Sequence, residues 1–252
     1  MIVLNYHRVS ERDAGADFYT VTPAAFAAHL GVLAERGSGV VASDEVLDGR
    51  AGDRSVMLHF DDGTADHHHT VARLLAEHGF RGVFFISTAK IGNKGYLSES
   101  DVRSMAAAGH AIECHGHSHR RMDRMTGEEL AGELRRSVEE IHRLTGRCPR
   151  ILAPPGGFVS KSVVESAARA GMPVVRTMRW NVNPLPLRGW LDCLVVHHGI
   201  TPATIERWLD GKGLWALKTR YRIKQAIRSA LPLDMYLALR RRIVRTSKPT
   251  DL

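Results

Sequence analysis

The sequence predicts a parallel α/β domain, a sheet or barrel built from repeated βα units, with a basic helical extension at its C-terminal end. Three observations carry this. Short apolar runs alternate with segments of helical periodicity through the first 211 residues, the cadence of strands connected by helices. Gly79, Gly109, Gly146 and Gly171 each follow a helical segment at the position where a left-handed residue closes it. A chain of 252 residues with 44% hydrophobic content can bury one large core, and α/β barrels of this length are single domains.

Taken in order, the strands are expected at Ile2–Asn5, Gly39–Ala42, Ser55–Phe60, Gly82–Ile86, Ala111–Cys114, Ile151–Ala153, Val174–Thr177 and Leu194–His197. The helices are expected at Pro23–Arg36, Ala65–His78, Glu99–Ala108, Gly127–Thr145, Ser160–Ala170 and Pro202–Leu209. Thr126 and Glu129 form a capping box for the longest of these, and Asp66 is placed to cap the helix that opens with His67-His68-His69, read as a solvated first turn. The cadence puts Asp61, Asp62, His115, Pro154 and His197 at the C-terminal ends of strands, the face that carries the chemistry in barrels. Residues 1–211 form the body; 212–252 read as two helices, Leu214–Leu231 and Asp234–Val244, broken at Pro232.

The net charge of +8 belongs to that extension. Residues 212–252 hold eleven Lys/Arg against two Asp, a net +9, and the body is nearly neutral. Such a segment suits an anionic membrane surface or simple solvation of two packed helices, and its few aromatics argue against nucleic acid. Cys114, Cys148 and Cys193 are too few and too scattered for a disulfide framework. The Met1–Asn5 run is too short for a signal peptide, and no apolar stretch reaches the roughly 20 residues that span a bilayer. The expectation is a cytoplasmic enzyme, peripheral to the inner membrane if the tail binds it.

The chemistry is concentrated in two segments. Leu58-His59-Phe60-Asp61-Asp62-Gly63 ends an apolar run with paired carboxylates and a turn; His115-Gly116-His117-Ser118-His119 follows about fifty residues later. His115 and His119 are four apart, so a helical turn or tight loop can aim both imidazoles at one point. One carboxylate with two imidazoles is a ligand set for a catalytic zinc-type ion with an open position, and the other carboxylate is left to act as a base on water. Cys114 adjoins His115, but the set is complete without it.

These residues resemble the polysaccharide deacetylases of carbohydrate esterase family 4. His59 to Gly63 is similar to the T-F-D-D-G motif, His115 to His119 to the H-[ST]-x-x-H metal motif, and Leu4-Asn5-Tyr6-His7-Arg8-Val9 to the Y-H-x-V opening of the exopolysaccharide branch. Ala153-Pro154-Pro155-Gly156-Gly157 stands where the family has R-x-P-[YF]-G, and Leu194-Val195-Val196-His197 matches the late L-x-x-H motif. The matches run in family order across roughly residues 1–205.

The resemblance implies a deformed (β/α) barrel of about seven strands that removes acetyl from an N-acetylated sugar with one divalent metal, Zn2+ first, with Co2+, Ni2+ or Mn2+ as substitutes. It implies Asp61 as general base, Asp62, His115 and His119 as metal ligands, and His197 as general acid. Pro155, Gly156 and Gly157 would shape the groove and offer a backbone N–H to the oxyanion, and Trp180 would stack on a sugar face or join the core. His7 and His59 are expected to pack at the barrel mouth. Two positions depart from the pattern. The motif-three Arg, which in the family pairs with the catalytic Asp, is Ala153, so Asp61 is expected to lack its cation; the motif-four Asp, which tunes the acid His, is not evident, with Asp192 as a candidate replacement beside the acid. Those losses keep a rival open: a catalytically weakened, metal-containing carbohydrate-binding protein. Without export, the substrates that fit are nucleotide- or lipid-linked glycan precursors or a sugar-bearing metabolite.

Overall fold

The structure, a computed structural model, describes residues 1–12, 17–219, 221 and 223. Its centre is an eight-stranded, wholly parallel sheet in the order β10-β1-β4-β5-β6-β7-β8-β9. The strands are β1 (Ile2–Tyr6), β4 (Val56–Phe60), β5 (Val83–Ile86), β6 (Ala111–Cys114), β7 (Ile151–Leu152), β8 (Val174–Thr177), β9 (Trp190–Asp192) and β10 (Leu194–Val195). A small second sheet pairs β2 (Arg8–Val9) with β3 (Thr20–Val21). The outer helices are α1 (Pro23–Glu35), α2 (Ser43–Leu47), α3 (Arg73–Glu77), α4 (Glu99–Ala107), α5 (Gly127–Thr145), α6 (Lys161–Arg169) and α7 (Pro202–Leu209).

Closure is accomplished by one extended segment. β9 pairs with β8, and after Cys193 the same run continues as β10 and pairs with β1. The sheet is therefore a nearly closed, deformed barrel whose seventh position is shared by two short strands, in agreement with the expected fold. Both faces of the strands are buried, as in parallel sheets covered by helices. Val3, Met57, Val83, Phe85, Ile151, Ala153, Val174, Leu191 and Cys193 pack together in one cluster, while their neighbours Leu4, Leu58, Phe84 and Leu152 join the cluster shared with the helices, as the period of two dictates.

The helices follow their signals. In α5, Thr126 Oγ1 accepts from the N–H of Glu129, and Glu129 accepts in return from the N–H of Thr126. Gly146 closes this helix at φ 70°, and Leu130, Leu134, Ile141 and Leu144 form its buried stripe.

Several elements differ from expectation. Val40 makes only an isolated bridge to Val56, so Gly39–Ala42 is not a strand, and α2 follows directly. The helix expected from Ala65 is π-helical over His67–Ala72 before it becomes α3. Its first turn is not uniformly solvated. His67 is fully buried, with Nε2 2.6 Å from the carbonyl of His7. Asp66 does not cap, because its carboxylate accepts the N–H of Val9 instead. Beyond residue 211, Leu214–Thr219 are helical, with Leu214 buried and Leu217 against the core. Most of the expected Leu214–Leu231 helix, and all of Asp234–Val244, lie outside the described residues.

Candidate active site

The turn after β4 separates the paired carboxylates. The N–H of Asp61 still bonds to the Tyr6 carbonyl, 3.1 Å away, so Asp61 continues the strand and enters the barrel mouth. Asp62 then adopts φ 78°, a left-handed conformation, and Gly63 follows at φ 72°. Any side chain at 63 would press on Ile86, with a Cβ 3.1 Å from that residue. A non-glycine residue at positive φ is strained, and here it points Asp62 away from Asp61.

The other half of the site follows β6. The N–H of His115 bonds to the Ile86 carbonyl, 3.1 Å away, and the chain turns at Gly116, φ 80°, where a Cβ would meet Met122 and Glu133. His119 is the second non-glycine residue at positive φ, 61°. Glu133, on the buried face of α5, holds the loop: its Oε1 accepts the N–H groups of His117 (2.8 Å) and Ser118 (2.6 Å), and its carboxylate accepts the Ser118 hydroxyl.

The two loops bring Asp62, His115 and His119 together. Asp62 Oδ1 lies 2.9 Å from His119 Nε2 and 3.3 Å from His115 Nε2. Two donors bound to one tetrahedral ion at about 2.0–2.1 Å stand about 3.3 Å apart, so the spacing fits zinc. The protonation of His115 fits too. Its Nδ1 lies 2.6 Å from the Ala153 carbonyl, which can only accept, so Nδ1 carries the hydrogen and Nε2 presents its lone pair. Cys114 takes no part. Its thiol donates to Ser137 Oγ, and burial pushes its pKa up to about 11.

Asp61 is buried, with an exposure of 2%, and so is its main partner, Arg176 of β8, at 2%. The guanidinium grips the carboxylate with both arms, Nη1 to Oδ1 at 2.7 Å and Nη2 to Oδ2 at 2.6 Å. Asn5 Nδ2 donates to Oδ2 from 3.2 Å, and His7 Nε2 stands 3.7 Å from the same oxygen. Burial raises the Asp61 pKa, and Arg176 more than cancels it, so the group is held well below the usual carboxylate range. Arg176 corrects the expectation that Ala153 leaves Asp61 without a cation. In the register of β7 and β8, Leu152 pairs with Val175, which sets Ala153 level with Arg176. The arginine is supplied from one strand over, level with the small side chain of Ala153.

His197 follows β10. The register of β10, β1 and β4 sets His197, His7 and Asp61 at one level on neighbouring strands. His197 is buried and stacks on Phe18, ring centroids 4.4 Å apart. Its Nδ1 accepts the N–H of Gly199 from 3.1 Å, so the proton of the neutral ring sits on Nε2, which has no partner among the described residues. Burial, helped by His198, lowers its pKa to about 4. Asp192 does not serve it: that carboxylate accepts from Thr177 Oγ1 (2.5 Å) and Asn181 Nδ2 (3.2 Å).

Pro155, Gly156 and Gly157 form a single 3-10 turn after β7, with both glycines at positive φ. Pro155 has no N–H, and that of Gly157 is spent on the Pro154 carbonyl, 2.9 Å away. This narrows the expected oxyanion donor from the whole turn to Gly156. Trp180 is half-buried and packs against the core. His59 lies deep inside the barrel rather than at its mouth, fully buried against Phe85.

The sequence of the polysaccharide deacetylase family matches residues 48–175, half of the chain. The chain is a member of the polysaccharide deacetylase family. It is 30% identical over 146 residues to a chitooligosaccharide deacetylase of Bradyrhizobium, covering 56% of this chain and 60% of that one. It is 24% identical over 135 residues to a peptidoglycan-N-acetylglucosamine deacetylase of Bacillus cereus, covering 53% and 46%. The chain thus spans less than two thirds of the length of these curated relatives. Among solved structures, the fold matches the Streptococcus pyogenes deacetylase PplD with a TM-score of 0.76 at 18% identity, covering 82% of this chain and 96% of that one. IcaB of Ammonifex degensii matches with a TM-score of 0.72 at 22% identity, covering 83% and 95%.

Proposed function

We propose that the protein is a metal-dependent hydrolase that removes acetyl from the nitrogen of an N-acetylated sugar. The observation that carries this reading is the adjacency of two differently built carboxylates. Asp62 converges with two imidazoles, and Asp61 is set apart from it by a left-handed turn and gripped by a buried arginine.

In this mechanism Asp62, His115 and His119 hold a divalent ion, zinc first, which acidifies a water and polarises the amide carbonyl when bound. Asp61, kept ionised by Arg176, takes the proton of the attacking water. The water oxygen bonds to the acetyl carbon, and the N–H of Gly156, the donor that the turn leaves unspent, would stabilise the oxygen that becomes negative. His197, neutral with its hydrogen on Nε2, donates a hydrogen bond from that atom to the departing nitrogen. As the carbon–nitrogen bond breaks, Asp61 passes to that nitrogen the proton it took from water and returns to the carboxylate, so the free amine leaves and the acetyl group leaves as acetate. Trp180 offers a half-exposed aromatic face for a sugar ring.

Arg176 weakens the rival reading of a carbohydrate-binding protein with a disabled base, because the cation missing at 153 is supplied from the next strand. For the cellular setting the proposal keeps a cytoplasmic substrate carried by a nucleotide, lipid or metabolite, with the +9 tail either drawn to an anionic membrane or simply solvated.

The test is acetate release by zinc- or cobalt-loaded protein from N-acetylated oligosaccharides and sugar nucleotides. Turnover that disappears with a chelator and returns with metal supports the proposal. Fully metallated protein that binds these sugars and releases no acetate would overturn it in favour of the binding protein.

A further inference from the structure

A second group of metal-ligating side chains stands outside the site described above and shares no residue with it. His68 and His69 lie on the π-helical turn, and Asp101 lies in the first turn of α4. One ligand atom from each falls within 4.8 Å of the others.

The local geometry suits a shared ion better than the pairwise contacts that it makes without one. His68 Nδ1 is 3.1 Å from Asp101 Oδ1, close to the edge of about 3.3 Å between two ligands of a tetrahedral ion. Yet this buried nitrogen makes no hydrogen bond, so it faces the carboxylate off the hydrogen-bonding axis. A shielded polar atom left so is costly, and a cation between the two would satisfy both.

The rest of Asp101 is fixed. Its Oδ2 accepts the N–H of Ser98 from 2.9 Å and its own N–H donates to Ser98 Oγ, 3.1 Å away. Only Oδ1 is free to turn to the histidines. Nearby cations are otherwise engaged, Arg73 by Glu77 and Arg103 by Glu99. His69 is exposed, so an ion can enter from solvent and keep water in its remaining position. The π-helical turn sets the two consecutive histidines toward one carboxylate, in keeping with the frequent use of such turns at functional sites.

We propose that His68, His69 and Asp101 form a second binding site for a late first-row divalent ion, zinc, nickel or copper. Two imidazoles out of three donors select this class over magnesium or calcium. The occupied site clips the π-helical turn to the start of α4. The same turn carries His67, which bonds to the backbone of His7 beside Asp61, so the clip braces a segment that leads to the catalytic carboxylate.

Metal-stripped, full-length protein is dialysed against buffered zinc, bound metal is measured by atomic emission, and cobalt absorption spectra report the ligands. Wild type is expected to take up two equivalents, His69→Ala one, His119→Ala one, and the double variant none. Zinc should also raise the Tm of His119→Ala but not of the double variant. His69 is exposed, so its variant should fold; Asp101→Asn, which keeps the size of the side chain, should lose the same equivalent. Wild type saturating at one equivalent would overturn the proposal, as would His69→Ala or Asp101→Asn retaining two. The ligand sets are disjoint, so this can fail while the deacetylase reading stands, and the reverse.

Discussion

Replacing Arg176 by Met tests the electrostatic design of the site most directly. The substitution keeps the bulk of the side chain and removes a charge that makes two hydrogen bonds, of 2.6 and 2.7 Å, to a carboxylate with almost no solvent contact. Asp61 would then be a buried, unpaired anion, with Asn5 and His7 as its remaining partners. Breaking such a pair from one side costs about 3–5 kcal/mol, which for a domain of this size lowers Tm by roughly 6–20 °C. Chemical denaturation and calorimetry measure the loss. Asp61→Asn/Arg176→Met should recover part of it, because no unpaired charge remains. Deacetylation by Arg176→Met should fall at least about tenfold, the fall expected when a base loses its correct charge and position. Moving the cation back supplies the sharper control. Ala153 is level with Arg176 on the adjacent strand, so Ala153→Arg/Arg176→Ala should regain stability and activity relative to Arg176→Ala. A single Arg176→Met variant within about 1 kcal/mol of wild type, with unchanged turnover, would refute this reasoning, since it would mean that Asp61 needs no cation.

The remaining predictions address the other groups. Asp61→Asn should retain the metal and lose at least about a hundredfold in turnover, measured as acetate release at equal metal content; near wild-type rates would mean that the metal-activated water needs no base. His197→Ala should slow amide substrates more than activated acetyl esters, and equal losses on both would make His197 structural. His110 accepts the N–H of Gly82 through Nδ1, and burial, with Arg81, lowers its pKa to about 4. A depressed folded pKa gives stability that is present above the unfolded value of about 6.5 and is lost as pH falls toward 4. Between pH 7.5 and 5 that loss is about 2 kcal/mol, so the stability of His110→Asn should fall by that much less over this range in urea titrations. Flotation with anionic and neutral vesicles tests the tail. At about 1 kcal/mol per surface cation, the full-length protein should float with anionic vesicles at low salt, and failure to do so makes the tail structural.

The sequence carried the barrel because its signals are local. Apolar runs, glycine closures and the capping box at Thr126 each involve a few residues, and α5 and α7 end where those signals put them. What escaped was short or distant. β2 and β3 have two residues each, too few for a period to show, and β9 has three. The π-helical start of the second long helix leaves no pattern distinct from an α-helical one.

The same division runs through the site. The cluster of Asp62, His115 and His119 was legible because D-D-G and H-x-x-x-H are each compact motifs, even though some fifty residues separate them, whereas the groups that hold the site carry no such motif. Arg176 is 115 residues from Asp61, and Glu133 reaches back to the His117–Ser118 backbone from α5. Each nevertheless left a trace. Val174-Val175-Arg176-Thr177 sets a charge in a strand buried on both faces, and Glu133 sits in the stripe of Leu130, Leu134 and Ile141. A charge in such a position is rarely tolerated without a partner, so either residue could have been flagged as one half of a buried pair. The partner needed the register: reading Ala153 alone suggests a lost cation, and only the pairing of Leu152 with Val175 shows that Arg176 stands level with it on the next strand.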